Sequence, residues 1–157
     1  TILRAMRGEP IPIYGDGMQV RDWLYVDDHC AAVEAILADG RVGETYNVGG
    51  GNQPTNLSVA KTLCGILDEL LGEPSAGPRQ SLISFVEDRP GHDRRYAMDS
   101  SKIERALGWR ASESLESGLR RTVSWYLDNP EWMSAATGSD DFSTWLATNY
   151  DRRGQSA

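Results

Sequence analysis

The run Glu87-Asp88-Arg89-Pro90-Gly91-His92-Asp93-Arg94-Arg95-Tyr96 gathers three arginines and a histidine into seven residues. Pro90 fixes its own φ and biases Arg89 toward an extended conformation. Gly91 permits a tight turn or a positive φ. Fork-shaped donors on a stiff backbone are what a phosphate or diphosphate site needs. The alternative is a solvated loop whose arginines pair with Asp88, Asp93 and nearby acids, pairs that contribute little.

A second segment is Pro12-Ile13-Tyr14-Gly15-Asp16-Gly17, followed by Gln19-Val20-Arg21-Asp22-Trp23-Leu24-Tyr25-Val26. Gly-Asp-Gly is a hairpin-type turn signal. A turn that joins Tyr14 to Arg21 could stack a base and hold a phosphate, or it could be a plain hairpin with an edge arginine. A third segment, Glu44-Thr45-Tyr46-Asn47-Val48-Gly49-Gly50-Gly51, runs from strand-like residues into glycines. It could admit close backbone approach of a ligand, and a simple flexible loop reads equally from the same residues. Asn56, just before Leu57, reads as a helix N-cap.

Other chemistry is missing from the sequence. There is no Gly-x-Gly-x-x-Gly or Gly-x-x-Gly-x-x-Gly, hence no dinucleotide fingerprint in this chain. Tyr25 and Tyr96 are not followed by lysine four residues on, so there is no Tyr-x-x-x-Lys. Cys30, Cys64, His29 and His92 have no zinc spacing and suggest no Cys/His nucleophile. Both cysteines fall on apolar stripes and read as small buried hydrophobes.

The elements that must position these segments alternate. Helices are expected from about Asp27 to Asp39, with Cys30, Val33, Ile36 and Leu37 inward; from Asn56 to Gly72; from Ser100 to Leu107; and over Leu115 to Leu127, stopping before Pro130. Thr1 to Arg7 reads as the end of a helix closed by Gly8, and a weaker tail helix carries Phe142, Trp145 and Leu146. Strands are expected over Ile11–Tyr14, Val20–Val26, Glu44–Val48 and Leu82–Val86. The alternation argues an α/β fold.

The chain has 157 residues, 39% hydrophobic and 25% charged, with a net charge of −7. That composition suits a folded domain and not a disordered one. A globally acidic chain is a poor nucleic-acid binder. No apolar run is long enough to span a membrane, and no secretory signal is visible. These features fit a cytoplasmic protein. Only Lys61 and Lys102 are lysines; the other basic residues are arginines, suited to planar recognition of phosphate.

In their order and spacing, over a match from about Ile2 to Tyr150, the blocks Pro12–Gly17, Arg21–Val26, Glu44–Gly50 and Asp88–Tyr96 resemble the dTDP-glucose 4,6-dehydratases, which are extended short-chain dehydrogenase/reductases. The Tyr-Asn-x-Gly-Gly block is common to many extended members; the Asp-Arg-Pro-Gly-His-Asp-Arg-Arg-Tyr block is far more specific. The resemblance implies the C-terminal portion of such a fold. Residues 1–50 would hold elements partly packed on a missing Rossmann domain, 51–150 mainly the substrate-binding domain, and 151–157 a frayed tail. It implies dTDP-glucose as substrate and a tightly held NAD bound by the missing N-terminal half. The full enzyme would oxidise C4, eliminate water across C5 and C6, and return hydride to C6, as a homodimer. The family's nucleotide-binding positions fall on Pro12, Ile13, Tyr14, Gly15, Arg21, Asn56, Asp88, Arg89, Pro90, Gly91 and His92. Arg21 and Arg89 would take the diphosphate, Tyr14 and the adjacent backbone the base or ribose, and His92 and Asn56 supporting hydrogen bonds. No catalytic residue is expected in this chain. Two other readings remain: a related nucleotide-sugar enzyme such as a C4 epimerase, and a non-catalytic module whose arginine loop docks an acidic partner.

Overall fold

A computed structural model describes residues 1–138 together with 144, 145 and 148. Two parallel strands sit at its centre. β1 (Ile11–Tyr14) pairs with β2 (Ile83–Val86), Ile11 opposite Ile83 and Tyr14 opposite Val86. A parallel pair needs a crossover. Here it runs through α2 (Val26–Asp39) and α3 (Asn56–Leu71). A short helix α1 (Ile2–Arg7) precedes β1, and α4 (Ser101–Leu107), α5 (Leu115–Asp128) and α6 (Pro130–Thr137) follow β2.

The α3 sequence carries Val59, Leu63, Ile66 and Leu67 at helical spacing, and all four are buried. Its N-cap is Thr55, whose Oγ1 accepts from the Ser58 amide at 3.2 Å, so Asn56 is the first helical residue and not the cap. The α3 stripe packs with Ala5, Ile11, Ile13, Leu119 and Val123 into the main core. A second cluster joins Ala32 of α2 to Ile103 of α4 and to Trp109, flanked by Leu24, Tyr46 and Val48.

Several sequence expectations change here. α2 buries Asp28 and Ala32, and it exposes Cys30, Val33 and Leu37. Its orientation follows from Asp28, whose carboxylate accepts from the Ser112 amide (3.1 Å), the Ser112 hydroxyl (2.6 Å) and the Glu113 amide (3.0 Å). Burial alone pushes the Asp28 pKa up, but the Ser112 and Glu113 hydrogen bonds outweigh it and hold it below the usual value. Cys64 is buried as expected; Cys30 is not.

Val20–Val26 forms no strand. Val20 makes single bridges to Thr55 and Arg95, Trp23 makes one to Asn52, and Val26 already belongs to α2. Glu44–Val48 is irregular as well. A strand requires a neighbour to complete its ladder, and neither segment has one among the described residues. Pro130 ends α5 but also starts α6, because a proline at the first helical position loses no intrahelical bond. Of the expected tail helix, Trp145 is helical; Phe142 and Leu146, like residues 151–157, lie outside the described residues.

Candidate functional site

The sequence-predicted residues converge on the C-terminal end of the β1–β2 pair. At that end β1 runs into Gly15-Asp16-Gly17. The Gly17 amide donates back to the Tyr14 carbonyl at 3.1 Å, and the Gly15 amide donates to the Val86 carbonyl at 2.9 Å. The turn therefore closes on the end of β2 and is not a hairpin. Beyond it, Gln19–Arg21 passes between two other segments. The Val20 amide donates to Arg94 O and the Val20 carbonyl accepts from the Tyr96 amide, while the Gln19 carbonyl accepts from the Asn56 amide at 2.9 Å. These backbone bonds hold the turn, the start of α3 and the arginine loop together.

Within the loop, the Arg89 carbonyl accepts from the His92 amide at 3.3 Å, and Gly91 has φ 69°. Proline then glycine with positive φ is the pattern of a type II turn. The His92 side chain is buried, with Nδ1 2.6 Å from Asp88 Oδ1, and its ring meets Tyr14 edge-on, centroids 6.4 Å apart. His92, then the Arg89 amide and Gln19, hold the Asp88 carboxyl below the usual carboxylate range against the opposing effect of burial.

The arginines are not equivalent. Arg21 Nη1 donates to Val20 O (2.6 Å) and Nη2 to Asp93 O (3.0 Å), and its guanidinium stacks 4.4 Å from the Tyr96 ring centroid. Those contacts fix its geometry, and no carboxylate pairs with it among the described residues. Arg94 Nη1 donates to both carboxylate oxygens of Asp16, 3.1 Å to each. Arg95 donates to Gln53. Arg89 is exposed, and among the described residues its guanidinium makes no ion pair. A hydrogen bond to Asp93 raises the Tyr96 pKa, and the positive charges of Arg21 and Arg89 oppose that rise. Arg21, tethered beside an aromatic ring, and Arg89, open on the same loop as that ring, are cationic forks of the kind that can grip a diphosphate.

Not every named position offers a side chain to this surface. Ile13 points into the main core, so only its backbone faces the turn. Pro12 and Tyr14 are half-buried along β1, and Asn56 is half-buried at the first position of α3. Gln19 was missed from the sequence. It is buried and donates from Nε2 to Asp88 Oδ2 at 2.9 Å. No periodicity could have revealed it, because it sits in an irregular segment between Met18 and Val20. Tyr96 and Asp16 also escaped notice as partners for Arg21 and Arg94.

The glycines after Val48 do not form a cofactor cradle. A Cβ at Gly49 would lie 2.7 Å from the Met98 Cβ, and one at Gly50 would lie 2.2 Å from the Trp23 carbonyl oxygen. Asp22 accepts from the Gly50 amide at 2.8 Å. The glycine run is therefore packed against its own chain, and no residue here is assigned to a nicotinamide cofactor. A separate cavity of about 690 Å³ lies between Trp23–Asp27 and α5, and none of the sequence-predicted site residues lines it. The described residues include no cluster suited to a metal ion and no helix long and apolar enough to cross a membrane.

Solved structures share this arrangement. A dTDP-glucose 4,6-dehydratase from Bacillus anthracis in complex with NAD matches 83% of the chain and 39% of its own length, with 43% identity and a TM-score of 0.70. A UDP-glucose 4-epimerase from Thermotoga maritima, solved with UDP-glucose, matches 82% of the chain and 38% of its own length, with 32% identity and a TM-score of 0.66. The fold is that of a portion of an extended short-chain dehydrogenase/reductase. The sequence profile of the GDP-mannose 4,6 dehydratase family matches residues 1–122, and the chain belongs to that family. Among curated relatives, the dTDP-glucose 4,6-dehydratase of Salmonella typhimurium is 49% identical over 153 residues, covering 98% of this chain. The chain spans 42% of that relative's length.

Proposed function

We propose that the chain is the nucleotide-sugar-binding part of an NAD-dependent dTDP-glucose 4,6-dehydratase, converting dTDP-glucose to dTDP-4-keto-6-deoxyglucose and water. The observation that carries this reading is the stacking of Arg21 on Tyr96 where the β1 turn, the start of α3 and the Asp88–Tyr96 loop meet, a loop that also carries the exposed Arg89. Arg21 and Arg89 bind the diphosphate. The Tyr14–Gly15 turn lines the base or ribose, and His92 and Asn56 support it, with Asp88, Pro90 and Gly91 shaping the loop and Pro12 and Ile13 contributing backbone. The chain's own task is to bind and orient the nucleotide. NAD and the catalytic groups belong to the length that the relatives have and this chain does not. Residues 1–50 pack in part on that same length and 51–150 mainly form the substrate side. The exposed stripe Val26, Cys30, Val33 and Leu37 on α2 supports this division. The whole protein acts as a cytoplasmic homodimer.

Fold alone does not separate this activity from C4 epimerisation, since an epimerase has a similar TM-score. The relatives' identities favour the dehydratase. Calorimetry of the 157-residue chain with thymidine diphosphate and with uridine diphosphate tests the site, and the expected result is saturable binding that favours thymidine. A chain that binds neither, but captures acidic peptides, would make the arginine loop a protein-docking element. The chain alone, supplied with NAD and dTDP-glucose, should release no 4-keto-6-deoxy product. Joined to the remaining length of the protein, it should release that product and no C4 epimer.

A further inference from the structure

We propose that Gln19 is a positioning residue for this nucleotide site, acting through Asp88 to set the Arg89–His92 turn; the proposal rests on the diphosphate reading above. Gln19 is 3% exposed, so it cannot itself reach a ligand. Its side-chain nitrogen donates to Asp88 Oδ2 at 2.9 Å. The other oxygen of that carboxylate faces His92 Nδ1 at 2.6 Å and accepts from the Arg89 amide at 2.9 Å. One carboxylate therefore fixes both the residue that opens the Pro90-Gly91 turn and the residue that closes it. Gln19 holds the carboxylate in turn from the opposite side.

The main chain of Gln19 extends this link, because its carbonyl accepts from the Asn56 amide. A single residue thus ties the start of α3 to the arginine loop. The Gly15 turn closes the remaining side: a Cβ there would stand 2.7 Å from Asp88 Oδ2, so the carboxylate packs directly on the turn. A tether of this kind raises affinity by ordering Arg89 before the ligand arrives, which lowers the entropy lost on binding.

Gln19 Oε1 is buried without a hydrogen-bond partner among the described residues. An unpaired buried acceptor is destabilising. That oxygen separates a positioning role from a merely structural one. Gln19→Leu keeps the approximate volume, removes the unpaired oxygen and loses only the bond to Asp88. If Gln19 merely filled space, stability and binding would both hold. If it held the fold together, stability would fall. If it positions the loop, stability stays or rises while the loop loosens and affinity drops.

The test compares the wild-type chain with Gln19→Leu, Gln19→Glu and Arg89→Ala. The readouts are calorimetry with thymidine diphosphate, chemical denaturation, and ¹⁵N heteronuclear NOEs of the Gly91 and His92 amides without ligand. The expected result for Gln19→Leu is an unchanged or higher denaturation midpoint, reduced NOEs, and affinity weaker by about five- to tenfold, the scale of one hydrogen bond. Gln19→Glu, which sets a second carboxylate against Asp88, should weaken binding at least as much, and it carries the same test should the leucine variant not fold. Unchanged NOEs and affinity in the glutamine variants, with Arg89→Ala impaired, would overturn this role alone. No nucleotide binding by the wild type, or none lost in Arg89→Ala, would overturn the diphosphate site and this role with it.

Discussion

Replacing Arg89 and Arg94 separately discriminates between a phosphate site and a solvated ion-paired loop. The two residues share a loop and are both exposed, yet their surroundings differ. Arg94 Nη1 donates to both oxygens of Asp16, whose carboxyl Met18 and then Arg94 hold below the usual carboxylate range. Its charge is already matched. Arg89 has no ion pair among the described residues, and its backbone is fixed at both ends of the Pro90-Gly91 turn by Asp88 and by the His92 amide. An unmatched guanidinium on a fixed backbone is able to form charge-assisted hydrogen bonds to a diphosphate. Their loss in Arg89→Ala should cost about 1.5–3 kcal/mol of binding free energy, or about 10- to 150-fold in Kd. Folding stability should change by less than about 0.5 kcal/mol, since the side chain supports no contact in the core. Arg94→Ala should weaken binding by about threefold at most, through loss of long-range attraction that salt screens. Calorimetry with thymidine diphosphate at low and physiological salt measures both. Equal losses for the two variants would mean that only net charge matters, and an unchanged affinity in Arg89→Ala would remove that residue from the site.

Other perturbations probe the scaffold. Gly15→Ala combines a φ of 57° with a Cβ 2.7 Å from Asp88 Oδ2. It should destabilise the chain by about 1–2 kcal/mol and weaken nucleotide binding as well, measured by denaturation and calorimetry on the same protein. Asp28→Ala strands the Ser112 and Glu113 amides that it now satisfies, so urea unfolding should show a loss of about 2–4 kcal/mol. The Asp28 pKa is lower folded than unfolded; its contribution is therefore complete above the unfolded value of about 3.9 and is lost as pH falls through the folded value. Asp28→Asn should flatten that acid limb of the stability profile. Finally, the α2 stripe of Val33 and Leu37 should make the 157-residue chain self-associate, and Val33→Asp with Leu37→Lys should return it to monomer by sedimentation velocity.

Sequence patterns located elements wherever local chemistry decides them. Glycines with positive φ end α1, α3 and α4 at Gly8, Gly72 and Gly108, as read from the residues alone. The apolar spacing of α3 picked out Ala60, Leu63, Cys64 and Leu67, which meet a core formed within this chain, although Leu70 of the same stripe is exposed and Val59 and Ile66 are buried beside it. The same reasoning turned Cys30, Val33, Ile36 and Leu37 of α2 inward, and of these only Ile36 packs on a core of the described residues. Its apolar stripe is real, but the face turned inward is chosen by a polar residue, Asp28, and by partners more than eighty positions away. Val20–Val26 and Glu44–Val48 have strand-forming residues without the neighbours that would make them strands, and composition carries no information on neighbours. Within the site, the arginine loop was legible because Pro90-Gly91 and the clustered charges are local signals. Gln19 was not, since its burial depends on Asp88, far along the chain.

The charge pattern narrows what such a site can hold. The net charge of −7 belongs to the whole chain, while Arg21, Arg89 and Arg95 at the loop have no carboxylate partner among the described residues. A polyanion would need a track of unmatched cations along which to lie. Arg94 is matched by Asp16, and Arg120 and Arg121 by Glu69, Asp27 and Glu113, so these arginines do not extend the open charge beyond the loop. A compact dianion needs only two forks at short range, and the acidic surroundings would repel anything longer. An aromatic ring beside those forks then favours a diphosphate that carries a flat base over an inorganic one. On this argument thymidine diphosphate should compete far better than pyrophosphate for the same site, and a short single-stranded oligonucleotide should not compete at all.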